Sequence, residues 1–165
     1  MRALAQELGG LPLALEQAAA YIDQKLVKFA VYLAQYRQRR LVLLERQLPE
    51  IGDYPASVVT TWQLNFEEVE RRSPNSVLIL QLSAFLAADD IPEDLLGQNA
   101  ELLGLVGCED ELTLKEWLAA LADFSLIRRK RETESYGVHR MVQEVVRHGL
   151  TGEMRQGWTR RAIVS

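Results

Sequence analysis

His139 and His148 are the two histidines of a chain whose one cysteine is Cys108, and nine residues separate them. One helix holds a metal between histidines three or four residues apart, so this pair does not have that spacing. A lone thiol allows neither an intrachain disulfide nor a multi-cysteine zinc site. Phosphate chemistry asks for glycines that expose backbone N–H groups, followed by a lysine and a hydroxyl. None of the ten glycines precedes a lysine. Ser73, Ser76 and Ser83 fall in helical stretches, with no histidine arranged beside them as at a nucleophile elbow. The acidic pairs Glu67-Glu68 and Glu93-Asp94 read as solvated faces and complements to helix dipoles. The chain is therefore expected to carry no catalytic residues and no metal ligands of its own, and not to be an enzyme by itself.

The remaining totals narrow the class. At 165 residues, 48% hydrophobic and 25% charged, the chain has the composition of one globular domain or two small ones. Its net charge of −4 gives no general electrostatic footprint for nucleic acid. The longest uncharged run, residues 73–88, holds 16 residues, whereas a membrane span needs about 20 mostly apolar ones. No signal peptide is visible, and a cytoplasmic location without a membrane partner is the expectation.

Helical signals dominate the chain. A first helix over about 1–8 ends at Gly9-Gly10, and its uncapped start implies that the chain begins inside a larger protein. A second follows Leu11-Pro12, with Leu15, Ala18, Ala19 and Ile22 as its buried stripe. A third runs over about 27–44, with Val31, Leu33, Tyr36, Leu43 and Leu44 as core candidates. Two prolines and a glycine within residues 48–55 mark a linker. Beyond it, Ser57 is placed to cap a helix carrying Val59, Trp62, Phe66 and Val69. Ser73-Pro74 starts the next helix, which the spacing carries on to Asp89-Asp90. Those aspartates could also be taken for the acidic end of a magnesium-binding strand, but helical periodicity disfavours it. A short helix is expected from Asp90 to Leu96, and a capping box of Thr113 and Glu116 opens another through Ala122.

At Ser125 the period changes. Residues 125–130 and 136–139 read as two strands of a hairpin around the polar stretch 132–135, and Met141, Val142, Val145 and Val146 return to helical spacing. The fold class expected is mainly α: a small helical bundle over 1–52, then a winged helix-turn-helix domain with a short β-hairpin over 53–150. Residues 151–165 would start a following helical region. A winged helix raises DNA binding as a rival function. The helix before the hairpin, however, offers Lys115 against Glu116 and Asp123, the wrong sign for phosphate. The basic run from Arg128 to Arg131 is ordinary surface for a strand and turn.

Four stretches, taken in order, resemble one family. Gly9-Gly10-Leu11-Pro12-Leu13-Ala14-Leu15 is similar to the GLPLAL motif of NB-ARC nucleotide switches, within the STAND class of signalling NTPases. Ser125-Leu126-Ile127-Arg128 and Val138-His139-Arg140-Met141-Val142-Gln143 resemble the strand and MHD-like motif that close its winged-helix domain. Residues 58–64 and 82–87 are similar to stretches of bacterial members that carry tetratricopeptide repeats.

The resemblance implies a division of labour. An upstream nucleotide-binding domain would supply the phosphate loop, so ADP or ATP would bind only together with that domain. Pro12, beside Leu11, would pack on the adenine, and His139 would hydrogen-bond the β-phosphate of ADP. Arg140 stands where many eukaryotic members have aspartate, which puts the aspartate's share of the lock in doubt. The partners implied are that upstream domain and a downstream repeat or sensor domain, with homo-oligomerisation open. On this reading the chain is a nucleotide-sensing lid and conformational relay. The competing readings are a DNA-binding winged-helix regulator and a nucleotide-independent protein–protein adaptor.

Overall fold

The computed structural model describes residues 2–45, 56–105 and 110–164. It is mainly helical with one small antiparallel sheet. The first helix, α1 (Arg2–Glu7), ends at Gly9 and Gly10 with φ of 67° and 65°. There the Gly10 N–H closes the helix onto the Ala5 carbonyl at 3.0 Å, in the left-handed geometry that glycine adopts without strain. Helix α2 (Pro12–Lys25) begins with proline in its first turn, where the missing N–H has no partner to lose. Its buried residues are Ala14, Gln17, Ala18 and Tyr21; of the expected stripe Ala18 is buried, Leu15 and Ile22 are half-buried against the core, and Ala19 faces solvent. Gln17 lies in this stripe with its Oε1 2.9 Å from the Thr61 hydroxyl, which is also 3.0 Å from the Val58 carbonyl, and its Nε2 is buried without a partner among the described residues.

Helix α3 (Phe29–Glu45) turns Tyr32 and Tyr36 fully inward, while Val31 is left exposed. The side chains of Leu43 and Leu44, and the linker at 48–55, lie outside the described residues. Tyr32 stacks on Tyr36 at 6.4 Å and meets Tyr21 at 5.3 Å.

Helix α4 (Ala56–Arg72) is the central element and packs on α2, α3 and the helix that follows it. Ser57 is not its cap but sits buried inside its first turn. The face turned inward is Val58, Thr61, Leu64, Asn65 and Val69. Trp62 and Phe66 are only half buried and stack on each other at 4.9 Å. Asn65 is fully buried, and its amide donates both to the Gln17 carbonyl (2.9 Å) and to the Phe124 carbonyl (2.8 Å).

Helix α5 (Pro74–Ser83) starts behind Ser73 as the sequence predicts, but ends seven residues before Asp90. Polar groups from the last helices take up the carbonyls at its end, as described below. The next residues correct the expected helix from Asp90: Ile91–Pro92 form strand β1, and α6 (Asp94–Gln98) starts only after it. Long-range pairing overrode the local Pro-Glu start signal. After α7 (Ala100–Leu103), α8 (Glu111–Asp123) is capped by Asp110, whose carboxylate accepts from the Leu112 N–H at 3.1 Å. Thr113 is thus inside the helix, and no box with Glu116 forms the start.

Strands β2 (Arg128–Lys130) and β3 (Ser135–Gly137) make the hairpin, and β1 adds to it in the order β1-β3-β2. Register pairs Ile91 with Tyr136 and Arg129 with Tyr136 from the other side. Glu93, just past β1, grips the Arg129 guanidinium with both oxygens at 2.9 and 2.8 Å and fastens the two sheet edges together. Helices α9 (Arg140–Gly149) and α10 (Gly152–Val164) close the chain. One buried apolar core runs through these elements from Leu4 to Trp158. No described helix is long and apolar enough to cross a membrane.

Burial raises the phenols of Tyr32 and Tyr136 well above the ordinary tyrosine value. A phenol raised in the folded state contributes stability that is whole below the unfolded pKa and is lost as pH climbs through the folded one. The urea midpoint should therefore fall above about pH 10, at a rate of up to about 1.4 kcal/mol per pH unit for each of the two phenols. Tyrosinate absorbance should rise together with unfolding; a titration of these phenols in the still-folded chain would refute it.

Candidate functional site

A groove of about 530 Å³ lies between the first turns of α2, the segment after α5, strands β2 and β3, and the start of α9. Its walls include Leu13, Glu16, Asp89, Arg128, Lys130, Gly137, His139 and Arg140. His139 is the N-cap of α9: its Nδ1 accepts from the Met141 N–H at 3.2 Å, and its carbonyl from the Gln143 N–H at 3.0 Å. With Nδ1 accepting there, Nε2 is the nitrogen left to donate, and it has no partner among the described residues. The ring is exposed, at the positive end of a ten-residue helix, with Arg140 exposed beside it.

The position of this helix start is fixed from behind. Gln143, buried, donates through Nε2 to the Ser83 carbonyl (2.8 Å) and the Leu86 carbonyl (3.1 Å), and Arg147 donates to the Ala84 carbonyl. These bonds tie α9 to the end of α5 and the turn after it, where the Ser83 carbonyl also accepts from the Leu86 N–H at 3.3 Å. Tyr136 reaches the same place, with its hydroxyl 2.8 Å from Ser83 Oγ.

Gly137 sets the depth of the groove floor. A Cβ there would lie 3.0 Å from the Ala88 carbonyl oxygen and 3.3 Å from an Asp89 oxygen. The Ala88 carbonyl cannot retreat freely, since it accepts from the Val138 N–H at 2.8 Å. Gly137→Ala should cost about 1–3 kcal/mol from overpacking. A thermal melt should show it as a drop of about 2–4 °C per kcal/mol, and an unchanged Tm would refute the close approach.

Two of the cations in the groove are engaged. Arg128 faces Glu16 at 3.7 Å, and Lys130 is bound to Asp90 at 2.6 Å, a contact that raises its pKa. Arg140 is in no such pair among the described residues. A second groove, of about 610 Å³, is walled by Glu93, Asp94, Glu111 and Glu134 with one cation, Lys115, and so repels anions. The outward side of α8, with Glu111, Leu112 and Glu116 exposed, has the same character. Among the described residues no three His, Cys, Asp or Glu side chains gather as a metal site requires.

Of the three residues singled out in the sequence, His139 alone lines the first groove. Pro12 is exposed at the first position of α2, and Leu11 is its half-buried N-cap. Neither lines the groove, whose α2 wall is Leu13 and Glu16. Sequence reasoning missed Glu16, Gly137 and Gln143. A signal existed for Gly137, because a glycine between strand residues marks a close backbone approach. None existed for Gln143, whose partners are main-chain carbonyls 57 to 60 residues away.

Residues 67–155 match the family described as Domain of unknown function (DUF7779). The chain is also 27% identical, over 164 residues and 93% of its length, to a "Nucleotide-binding leucine-rich repeat (NLR)-like protein" of Hyaloscypha variabilis. It spans 16% of that relative's length. No solved structure matches it.

Proposed function

The chain belongs to the family described as Domain of unknown function (DUF7779), whose match takes in residues 67–155, and from that premise we propose that it is the regulatory portion of a STAND-type signalling NTPase. Its role there is that of a nucleotide-sensing lid and relay, without catalysis of its own. The observation that carries the proposal is His139. Its Nδ1 is occupied in capping α9, so Nε2–H stands free as a donor at a helix N-terminus, across a groove from the first turns of α2. A donor so placed suits the terminal phosphate of a bound ADP.

The distant likeness to a protein named for nucleotide binding supports the same class. In this reading residues 1–52 form the helical bundle and 53–150 the winged helix. The order α4-α5-β1-α6-α7-α8-β2-β3-α9 and the sheet order β1-β3-β2 support that assignment. An upstream nucleotide-binding domain supplies the phosphate loop, with Pro12 and Leu11 near the base, and a repeat or sensor domain follows. The acidic outer side of α8 argues against duplex DNA as partner.

The test is ADP affinity of the full-length protein, measured by calorimetry. His139→Ala should lower it by about 1.5–3 kcal/mol, the worth of a hydrogen bond to a charged group. Because alanine also removes the helix cap, His139→Asn serves as control: asparagine caps well but is too short to reach as the imidazole does. Equal ADP affinity in all three proteins would refute the lid.

A further inference from the structure

We propose that strand β2 is a docking edge, onto which an extended, carboxylate-bearing segment of a partner protein adds as a fourth strand. The order β1-β3-β2 gives the sheet two edges, and they are not alike. At the β1 edge Pro92 has no N–H to offer, and α6 packs beside it. At the β2 edge each residue keeps its N–H, and among the described residues only β3 hydrogen-bonds the main chain of 128–130. Such an edge pairs with an extended chain that suits it, because its outward N–H and C=O groups are still open to partners.

Charge decides which chain suits it. Arg128 and Lys130 are exposed on one face of β2, about 7 Å apart, the spacing of alternate residues in a strand. A second copy of β2 would set cation against cation across the ladder, which is repulsive. A segment with a carboxylate on every second residue meets them with the opposite sign. Arg131, exposed one residue past the strand, is in no ion pair among the described residues. Arg128, 81% exposed and 3.7 Å from Glu16, is only loosely held, while Lys130 keeps Asp90 at 2.6 Å and adds less. The other face of the strand gives the incoming chain room. A groove of about 350 Å³ lies between α8 and β2, with Ala119, Ala122 and Ile127 as its apolar walls. Its two acids already face cations, Asp123 at 2.9 Å from Arg72 and Glu16 beside Arg128. Side chains alternate along a strand, so glutamates turned to Arg128 and Lys130 send the small apolar residues between them toward that groove.

The experiment titrates the whole, isotope-labelled chain with a short blocked peptide that alternates glutamate with valine, read by NMR of the backbone amides. Shifts should centre on residues 127–131, and the outward amides of β2 should exchange more slowly, since pairing gives them partners. The same peptide N-methylated at every residue keeps its charge but loses its donors, and it should not bind. Lysine in place of glutamate should abolish binding too. Arg128→Gln and Arg131→Gln should each weaken it about two- to fivefold, as loss of an exposed charge pair does. Both side chains are exposed, so neither change threatens the fold. Equal binding of the N-methylated peptide would reduce the site to charge alone and overturn the docking edge. So would an absence of shifts over 127–131, or unchanged affinity in both variants. Duplex DNA that shifts the same amides and displaces the peptide would make β2 a phosphate contact, and the proposal would fall. No nucleotide enters these measurements, so their outcome is separate from that of the His139 test.

Discussion

Asn65→Ala should destabilise the fold by on the order of 3 kcal/mol, because one side chain removes the partners of two buried carbonyls. The Asn65 amide is fully buried and spends both its hydrogens, one on Gln17 in α2 and one on Phe124 at the end of α8. Alanine withdraws the donated hydrogens from both carbonyls at once. Total stabilities of single domains are about 5–15 kcal/mol, so the loss is a large fraction of what holds the chain folded. Urea unfolding should show a lower midpoint at unchanged slope, the mark of a stability change without a change in exposed surface. Asn65→Asp should be at least as damaging, since a carboxylate of the same shape presents oxygens to oxygens. A loss under about 1 kcal/mol in both would mean that the two bonds are not formed together.

Trp158→Ala is the second large effect, and its form differs. Most described residues of helix α10 are exposed, and the buried one among them is Trp158, which rests on the core with Arg161 over its ring at 4.7 Å. Truncating a buried tryptophan costs about 3–5 kcal/mol. A 13-residue helix has little stability of its own in water, where about 12–15 residues are marginal even for good helix formers. The loss should therefore appear first as local unwinding of α10, with less helical circular dichroism and fast amide exchange confined to residues 152–164. Protection retained throughout α10 in Trp158→Ala would show that another contact docks it.

How much of this was legible in the sequence depended on whether local signals or distant partners decide. The glycine stop at Gly9-Gly10, the Ser73-Pro74 start and the hairpin around residues 131–134 were readable because each is written in neighbouring residues. The stripe of α2 was legible in Leu15, Ala18 and Ile22 but not in Gln17, since nothing beside Gln17 reveals that its Oε1 meets the Thr61 hydroxyl. Strand β1 was read as a helix start because Pro92-Glu93-Asp94 has the local chemistry of one; its pairing with β3 comes from residues more than forty positions on. His139 was singled out through motif likeness, and the structure places it on the wall of the first groove. Its function as a cap and the free Nε2 donor follow only from where Met141 lies. Pro12 and Leu11 stand at the start of α2, and the groove wall takes from that helix Leu13 and Glu16.

The strand order β1-β3-β2 also has a consequence for how the chain is made. The middle strand is the last to leave the ribosome, and at about 5–20 residues per second β1 waits some 2–9 s for it. Throughout that interval Ile91, destined for the core, stands in an unpaired strand. Pro92 makes the wait safer: without a backbone N–H, it gives a wandering strand from another nascent chain one fewer handhold. The residue that hid β1 from a reading of the sequence is thus the one that guards it during synthesis.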